Sequence, residues 1–299
     1  MRGPAVPDGG PGSVAAVTTP TLVRTRAELE QVRAGLEGTV AVVMTMGALH
    51  DGHATLVRRA RERATTVLVT IFLNPLQFGA GEDLAKYPRT IDADLELLAA
   101  EGVDIVFAPA PDVVYPDGDP GIKVSAGGLG DVLEGASRPG HFDGVLTVVA
   151  KLLHLVRPDL AYFGQKDAQQ LLLIRRMVRD LDFPTEVVAV PTVREPDGLA
   201  MSSRNAYLIG EERERALGLH RALEAAEALV ARGERNGAAV LAAARAQLDE
   251  AHVDPEYLEL RSATDLAPVE RVNGSTLLAV AARVGRARLI DNKVLGGTP

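Results

Sequence analysis

The sequence predicts an α/β protein, a doubly wound parallel sheet followed by a smaller C-terminal α+β domain. Three observations carry that expectation. Short apolar, β-branched runs alternate with amphipathic helical stretches between residues 40 and 190, the pattern of right-handed crossovers in a parallel sheet. Beyond Asn205 the chain turns rich in Ala, Glu and Arg, then into short strands joined by tight turns such as Asn273-Gly274. The unusual polar clusters follow predicted strands, at the sheet edge where open α/β sheets bind ligands.

Val40-Ala41-Val42-Val43-Met44-Thr45, bounded by Gly38 and Gly47, reads as a buried strand. From His53 to about Ala64, apolar residues at Ala54, Leu56, Val57, Ala60 and Ala64 alternate with arginines, which predicts a helix with one buried face. The next strand is expected over 67–73, a helix over 92–101 and a third strand over 103–108. Residues 110–140, with many Pro and Gly, interrupt the rhythm as an insertion over the sheet. A helix over 144–156, a strand over 159–163, a helix over 167–180 and a strand over 186–190 complete five parallel strands in a Rossmann-like unit, residues 18–191. Helices over 211–232 and 237–251, then strands over 257–261, 275–284 and 287–291, form the small domain, residues 192–299. Residues 1–17, MRGPAVPDGGPGSVAAV, read as a disordered leader without an apolar secretory core.

Composition narrows the function. The chain has 299 residues, 46% hydrophobic and 24% charged, as in globular proteins. With 4% aromatics, no Trp and a formal net charge of −8, neither a base-stacking platform nor a broad phosphate-backbone footprint is expected, so nucleic acid is not a predicted partner. Cysteine is absent, which removes disulfides, thiolate metal sites and cysteine nucleophiles together. No apolar run approaches a membrane span, and a cytoplasmic location is expected.

Four polar clusters carry the chemistry. In Met46-Gly47-Ala48-Leu49-His50-Asp51-Gly52-His53, the glycines allow a tight turn and the helix start near His53 favours a phosphate. An imidazole there can stabilise charge on phosphate oxygens. A zinc-binding pair or two ordinary loop histidines are the competing readings, although no companion zinc ligand is evident. Asn74-Pro75-Leu76-Gln77-Phe78 offers neutral amides for hydroxyl, carboxylate or amine groups, although Gln77 taken alone reads more often as a solvated loop residue. In Gly164-Gln165-Lys166-Asp167, Lys166 opposes the dipole of the following helix, a conflict that a bound phosphate would resolve, and Gln170 shares its helical face; a solvated lysine at a helix end is the competing reading. Met201-Ser202-Ser203-Arg204 presents hydroxyls and a guanidinium suited to phosphate, with Ser202 equally able to serve as a helix cap. No GxxxxGK[ST] loop occurs, which argues against a Walker-type ATPase.

These blocks also carry a family resemblance. His50-Asp51-Gly52-His53 matches the His-x-Gly-His signature of the nucleotidylyltransferase superfamily. Together with Tyr87-Pro88-Arg89-Thr90, Gly140-His141-Phe142 and Leu199-Ala200 leading into Met201-Ser202-Ser203-Arg204-Asn205, the clusters resemble, in order, the pantothenate synthetase family from about residue 20 to the end. Met44, Gln165 and Ala168 depart from the family pattern, and Ala93, beside Asp92 and Asp94, thins an acidic stretch that the family links to metal. The resemblance implies a ligase that joins (R)-pantoate to β-alanine at the expense of ATP, through pantoyl adenylate, with release of AMP and pyrophosphate. It implies that residues 46–53 and 164–167, with Val193 and residues 201–204, hold ATP. His53, His50, Lys166 and Arg204 would be the catalytic groups. Gln77 and Gln170 would bind pantoate, with Gln77 near β-alanine, and Mg²⁺ would ride on ATP phosphates with few protein ligands. A homodimer is implied as well. The competing classes are a nucleotidylyltransferase acting on a phosphorylated acceptor and a catalytically silent nucleotide-binding regulator. A phosphate acceptor would favour Arg or Lys where Gln77 and Gln170 stand.

Overall fold

The computed structural model describes residues 19–79 and 83–297; the expected leader lies outside the described residues. The large unit is a parallel sheet of six strands: β1 (Thr21–Val23), β2 (Val40–Thr45), β3 (Thr66–Ile71), β4 (Ile105–Phe107), β5 (Leu160–Gly164) and β6 (Glu186–Val190). Their spatial order is β1-β4-β3-β2-β5-β6. Five strands were expected. The sixth, β1, is a three-residue edge strand, too short for any periodic signal, and it pairs with β4 through Thr21–Ile105 and Val23–Phe107. The helix before β2, α1 (Arg26–Ala34), was likewise not foreseen; Thr25 and Glu28 form a capping box at its start.

The central strands are buried on both faces, so their sequences are continuous apolar runs. Strand alternation divides them between two cores. Ala41, Val43, Val67 and Val69 pack on α2 (Asp51–Arg61) and α3 (Ile91–Ala100) through Val57, Ala60 and Leu98. Val42, Leu68 and Ala161 pack on the opposite face, against α1 and two further helices. The insertion contributes the one-turn helices α4 (Pro111–Val114) and α5 (Glu134–Ser137). After it come the two helices of that opposite face, α6 (His141–Val156) and α7 (Ala168–Asp180). From β2 the chain runs outward through β3 and β4, then returns to place β5 on the other side of β2. The topological switch point therefore lies between the carboxyl ends of β2 and β5.

The C-terminal unit holds α8 (Glu211–Ala231), α9 (Gly237–Glu250) and an antiparallel sheet of β7 (Pro255–Ser262), β8 (Thr276–Val284) and β9 (Ala287–Leu295). Leu278, Val280 and Ala282 of β8 face the two helices. Their neighbours Leu277 and Ala279 face the large unit and bury themselves with Leu133. Around that apolar contact, Arg288 pairs with Glu134 (2.7 and 2.9 Å), which also accepts from the Tyr257 hydroxyl (2.9 Å). The last strand extends beyond the expected Asp291 to Leu295. Its polar run Asp291-Asn292-Lys293 resembles a loop but stays in register with β8.

Candidate active site

The β2 carboxyl end turns at Gly47 (φ +86°) and Ala48 (φ +51°), both in the left-handed region. Buried Asp94 of α3 holds this turn: its carboxylate accepts the N–H groups of Ala48 (3.1 Å) and Leu49 (2.8 Å) and the Thr90 hydroxyl (3.2 Å). In the sequence Asp94 stands out only as part of an acidic stretch that the family links to metal, not as the holder of this turn, since an acid in a helix's first turn ordinarily serves the dipole.

The turn delivers His50 as the N-cap of α2, which begins at Asp51, two residues earlier than expected. The two histidines cap the helix reciprocally. His50 Nδ1 accepts from Gly52 N–H (3.1 Å), and His53 Nδ1 accepts from His50 N–H (3.3 Å). A ring nitrogen that accepts carries no proton, so both neutral imidazoles present Nε2–H as a donor. The rings lie 4.2 Å apart. A Cβ on Gly52 would stand 2.8 Å from His50 Cε1, which explains the glycine between the histidines. Backbone phosphate binding at this helix start was expected, yet Gly52 N–H is engaged by His50 and by Met201 Sδ (3.0 Å), and His53 N–H by the His50 carbonyl (2.8 Å).

Burial pushes the His53 pKa down to about 3, reinforced by His50 and Lys166 and opposed by Asp167. Burial and Lys166 also lower that of His50, against Asp51 and Glu195. His53 should therefore remain neutral in NMR titrations of its ring carbons until the pH approaches 3, whereas an unfolded histidine titrates near ~6.5. Because the unfolded chain binds a proton that the folded one refuses, this group's stabilisation is complete above about pH 6.5 and declines as pH falls toward 3. A His53 midpoint near 6 in the free protein would contradict this environment.

Lys166 lies in the turn Gln165–Asp167 after β5, two residues before α7 begins, with its ammonium 3.9 Å from Asp167. Lys166, Asp167 and Gln170 share a cavity between the two units with His141, Tyr257 and Asn292. After β3, Asn74 is saturated: it donates to the Gly144 carbonyl and Gln77 Oε1 (3.1 Å each) and accepts from Tyr115 (2.9 Å) and Leu76 N–H (3.3 Å). Gln77 in turn donates to Met46 Sδ (3.1 Å), which brings the β3 turn against the β2 turn. A Cβ on Gly144 would come 2.2 Å from the Leu76 carbonyl oxygen. Gly144→Ala should destabilise the fold by about 1–3 kcal/mol and displace the turn that carries Gln77, read as a lower melting temperature. An unchanged melting temperature would contradict this packing.

After β6, Met201 N–H donates to the Val193 carbonyl (2.9 Å) and Met201 Sδ meets Gly52. Ser202 accepts from Arg204 N–H (3.3 Å) and so does act as a cap, for the turn Ser203–Tyr207. Arg204 stands exposed at the rim, where its charge reaches Tyr87. The structure thus gathers residues 46–53, Gln77, Lys166, Asp167 and Met201 around one switch point, with Gln170 along the cavity and Arg204 outermost.

A doubly wound sheet whose switch point gathers two neutral imidazoles and a lysine places the protein in the class of nucleotide-binding α/β enzymes. The sequence model of the pantoate-beta-alanine ligase family matches residues 18–294. Pantothenate synthetase 4 of Frankia alni is 64% identical over 253 residues, covering 84% of this chain and 81% of that one. The Salinispora arenicola pantothenate synthetase is 60% identical over 91% of this chain and 96% of its own. Pantothenate synthetase from Thermus thermophilus superposes with a TM-score of 0.86 at 48% identity, covering 92% of this chain and 99% of that one. The pantoate–β-alanine ligase of Francisella tularensis, solved with beta-gamma ATP and β-alanine, has a TM-score of 0.75 at 31% identity, covering 92% of this chain and 97% of that one. The chain belongs to the pantoate–β-alanine ligase family.

Proposed function

We propose that this enzyme condenses (R)-pantoate with β-alanine through pantoyl adenylate, and that residues 46–53 and 164–167, Val193 and residues 201–204 hold ATP. The observation that carries this reading is the pair of neutral, donor-presenting imidazoles beside Lys166, with amides rather than cations at Gln77 and Gln170. Donors and a fixed cation suit the phosphate charge of ATP; neutral amides suit a hydroxy acid better than a phosphorylated acceptor.

A pantoate carboxylate oxygen attacks the α-phosphorus as the bond to pyrophosphate breaks. Lys166 and the two Nε2–H groups stabilise charge on the phosphate oxygens, and Arg204 closes the site from the rim. Gln77 and Gln170 orient pantoate, and Gln77 also borders the β-alanine position. The amine of β-alanine then attacks the acyl carbon and AMP leaves with both electrons of the broken C–O bond. Catalysis consists of positioning and charge stabilisation, with no protein nucleophile.

The donor set fits Mg²⁺ carried on the nucleotide rather than caged by protein. No group of three or more His, Asp or Glu suited to a metal occurs among the described residues, and both Asp94 oxygens are engaged by the turn. When bound, the ion would neutralise phosphate charge. A cytoplasmic homodimer, with the domain boundary near residue 192, completes the reading. The test is isotope exchange between pyrophosphate and ATP: exchange is expected only with pantoate present, and exchange without pantoate would overturn the assignment.

A further inference from the structure

Strand β9 carries two polar residues that its pairing with β8 does not require. Asp291 and Asn292 sit opposite Val280 and Ala279, and adjacent strand positions point to opposite faces. On one face, Asn292 Nδ2 donates to the backbone carbonyls of Gln165 (3.0 Å) and Lys166 (2.7 Å). On the other, buried Asp291 is held by both terminal nitrogens of Arg194 (2.6 and 3.0 Å). Arg194 also donates to the Gly198 carbonyl (3.1 Å) and bridges Ala200. The same loop carries Val193, whose carbonyl fixes Met201. One dipeptide of the small sheet thereby grips the Lys166 turn and the loop leading to Met201, the two segments that flank the histidines.

We infer that Asn292 and Asp291 are positioning residues for the nucleotide site: Asn292 sets the backbone that aims Lys166, and Asp291, through Arg194, sets the approach of Met201 to Gly52. Docking of the two units does not depend on them alone. Leu133, Leu277 and Ala279 bury the interface, and Arg288, Tyr257 and Glu134 tie its edge. The Asn292 amide instead spends both hydrogens on the carbonyls of a ligand-facing turn. This inference rests on the reading of Lys166 as a phosphate-binding group.

The test is ATP binding by calorimetry, which needs no turnover, on the full-length protein. Asn292→Ala should weaken ATP binding roughly ten-fold, the scale of losing two hydrogen bonds. In a Lys166→Ala background the same change should cost less than about two-fold, since residues acting through one another are not additive. Arg288→Met, which loosens the interface away from the turn, should lower the melting temperature while leaving ATP affinity within about two-fold. Equal losses in both backgrounds, or an Arg288→Met loss as large as that of Asn292→Ala, would overturn the inference. If Asn292→Ala does not fold, Asn292→Ser, which keeps a polar group at the interface, carries the same comparison. Wild-type protein that binds ATP but makes no AMP from pantoate and β-alanine would defeat the proposed function and leave this inference to the binding data. Failure to bind ATP would overturn both.

Discussion

His53→Ala should lower kcat/KM by about 10²- to 10³-fold, the cost of removing one preorganised donor from a charge-stabilising site. Most of the loss should fall on kcat. In the proposed adenylation, charge on the α-phosphate oxygens grows toward the transition state, so a donor aimed at it would contribute more there than in the ground state. The His53 ring is held in the tautomer this requires, because its Nδ1 accepts from His50 N–H and leaves the proton on Nε2. Burial keeps the ring uncharged, with a pKa near 3, so it acts as a donor and not as a cation through the neutral range. The substitution also removes an N-cap contact, at roughly 1 kcal/mol, too little to unfold the protein. A folded His53→Ala enzyme within ten-fold of wild type would remove His53 from the chemistry.

Asp94→Ala should be the most damaging change outside the ligand-contacting groups, destabilising the protein by about 2–5 kcal/mol. It strands the N–H groups of Ala48 and Leu49 and frees a turn that holds Ala48 at φ +51°. A non-glycine residue in that region costs on the order of 1–3 kcal/mol, which persists only when surrounding bonds enforce it. The loss of activity should exceed what the melting temperature alone accounts for, because this turn places His50. Asp94→Asn should not restore function, since its amide nitrogen would confront one of the two backbone donors. Adding Ala48→Gly should recover part of the stability by removing the strain. Wild-type kinetics in Asp94→Ala would show that the turn holds itself.

Much of this was legible in the sequence, for identifiable reasons. Continuous apolar runs such as residues 40–45 and 160–163 are what a two-face-buried strand requires, and the helices between them carried clear periodicity. The polar clusters stood out because each followed such a run. Strand β1 was not legible, since three residues carry no period and its pairing with β4 is a long-range choice. The start of α2 was misplaced because Asp51 and Gly52 are poor helix formers, and only the reciprocal histidine caps draw them into the helix. The roles of Asp94 and Asn292 were hidden for a different reason. Each serves a backbone group far away in sequence, and no local pattern marks such a partner. Asp291 did leave a trace: an acid at an inward strand position is costly unless paired, yet it read as the end of the strand.

Activation of the carboxylate as an acyl adenylate, proposed to occur between the histidine turn and Lys166, can be followed through the fate of one oxygen by running the complete reaction with pantoate labelled with ¹⁸O in its carboxylate. Attack on the α-phosphorus leaves one carboxylate oxygen on AMP after the amine displaces it. AMP should carry one ¹⁸O and pyrophosphate should be unlabelled; label in inorganic phosphate with ADP as product would rule out the adenylate.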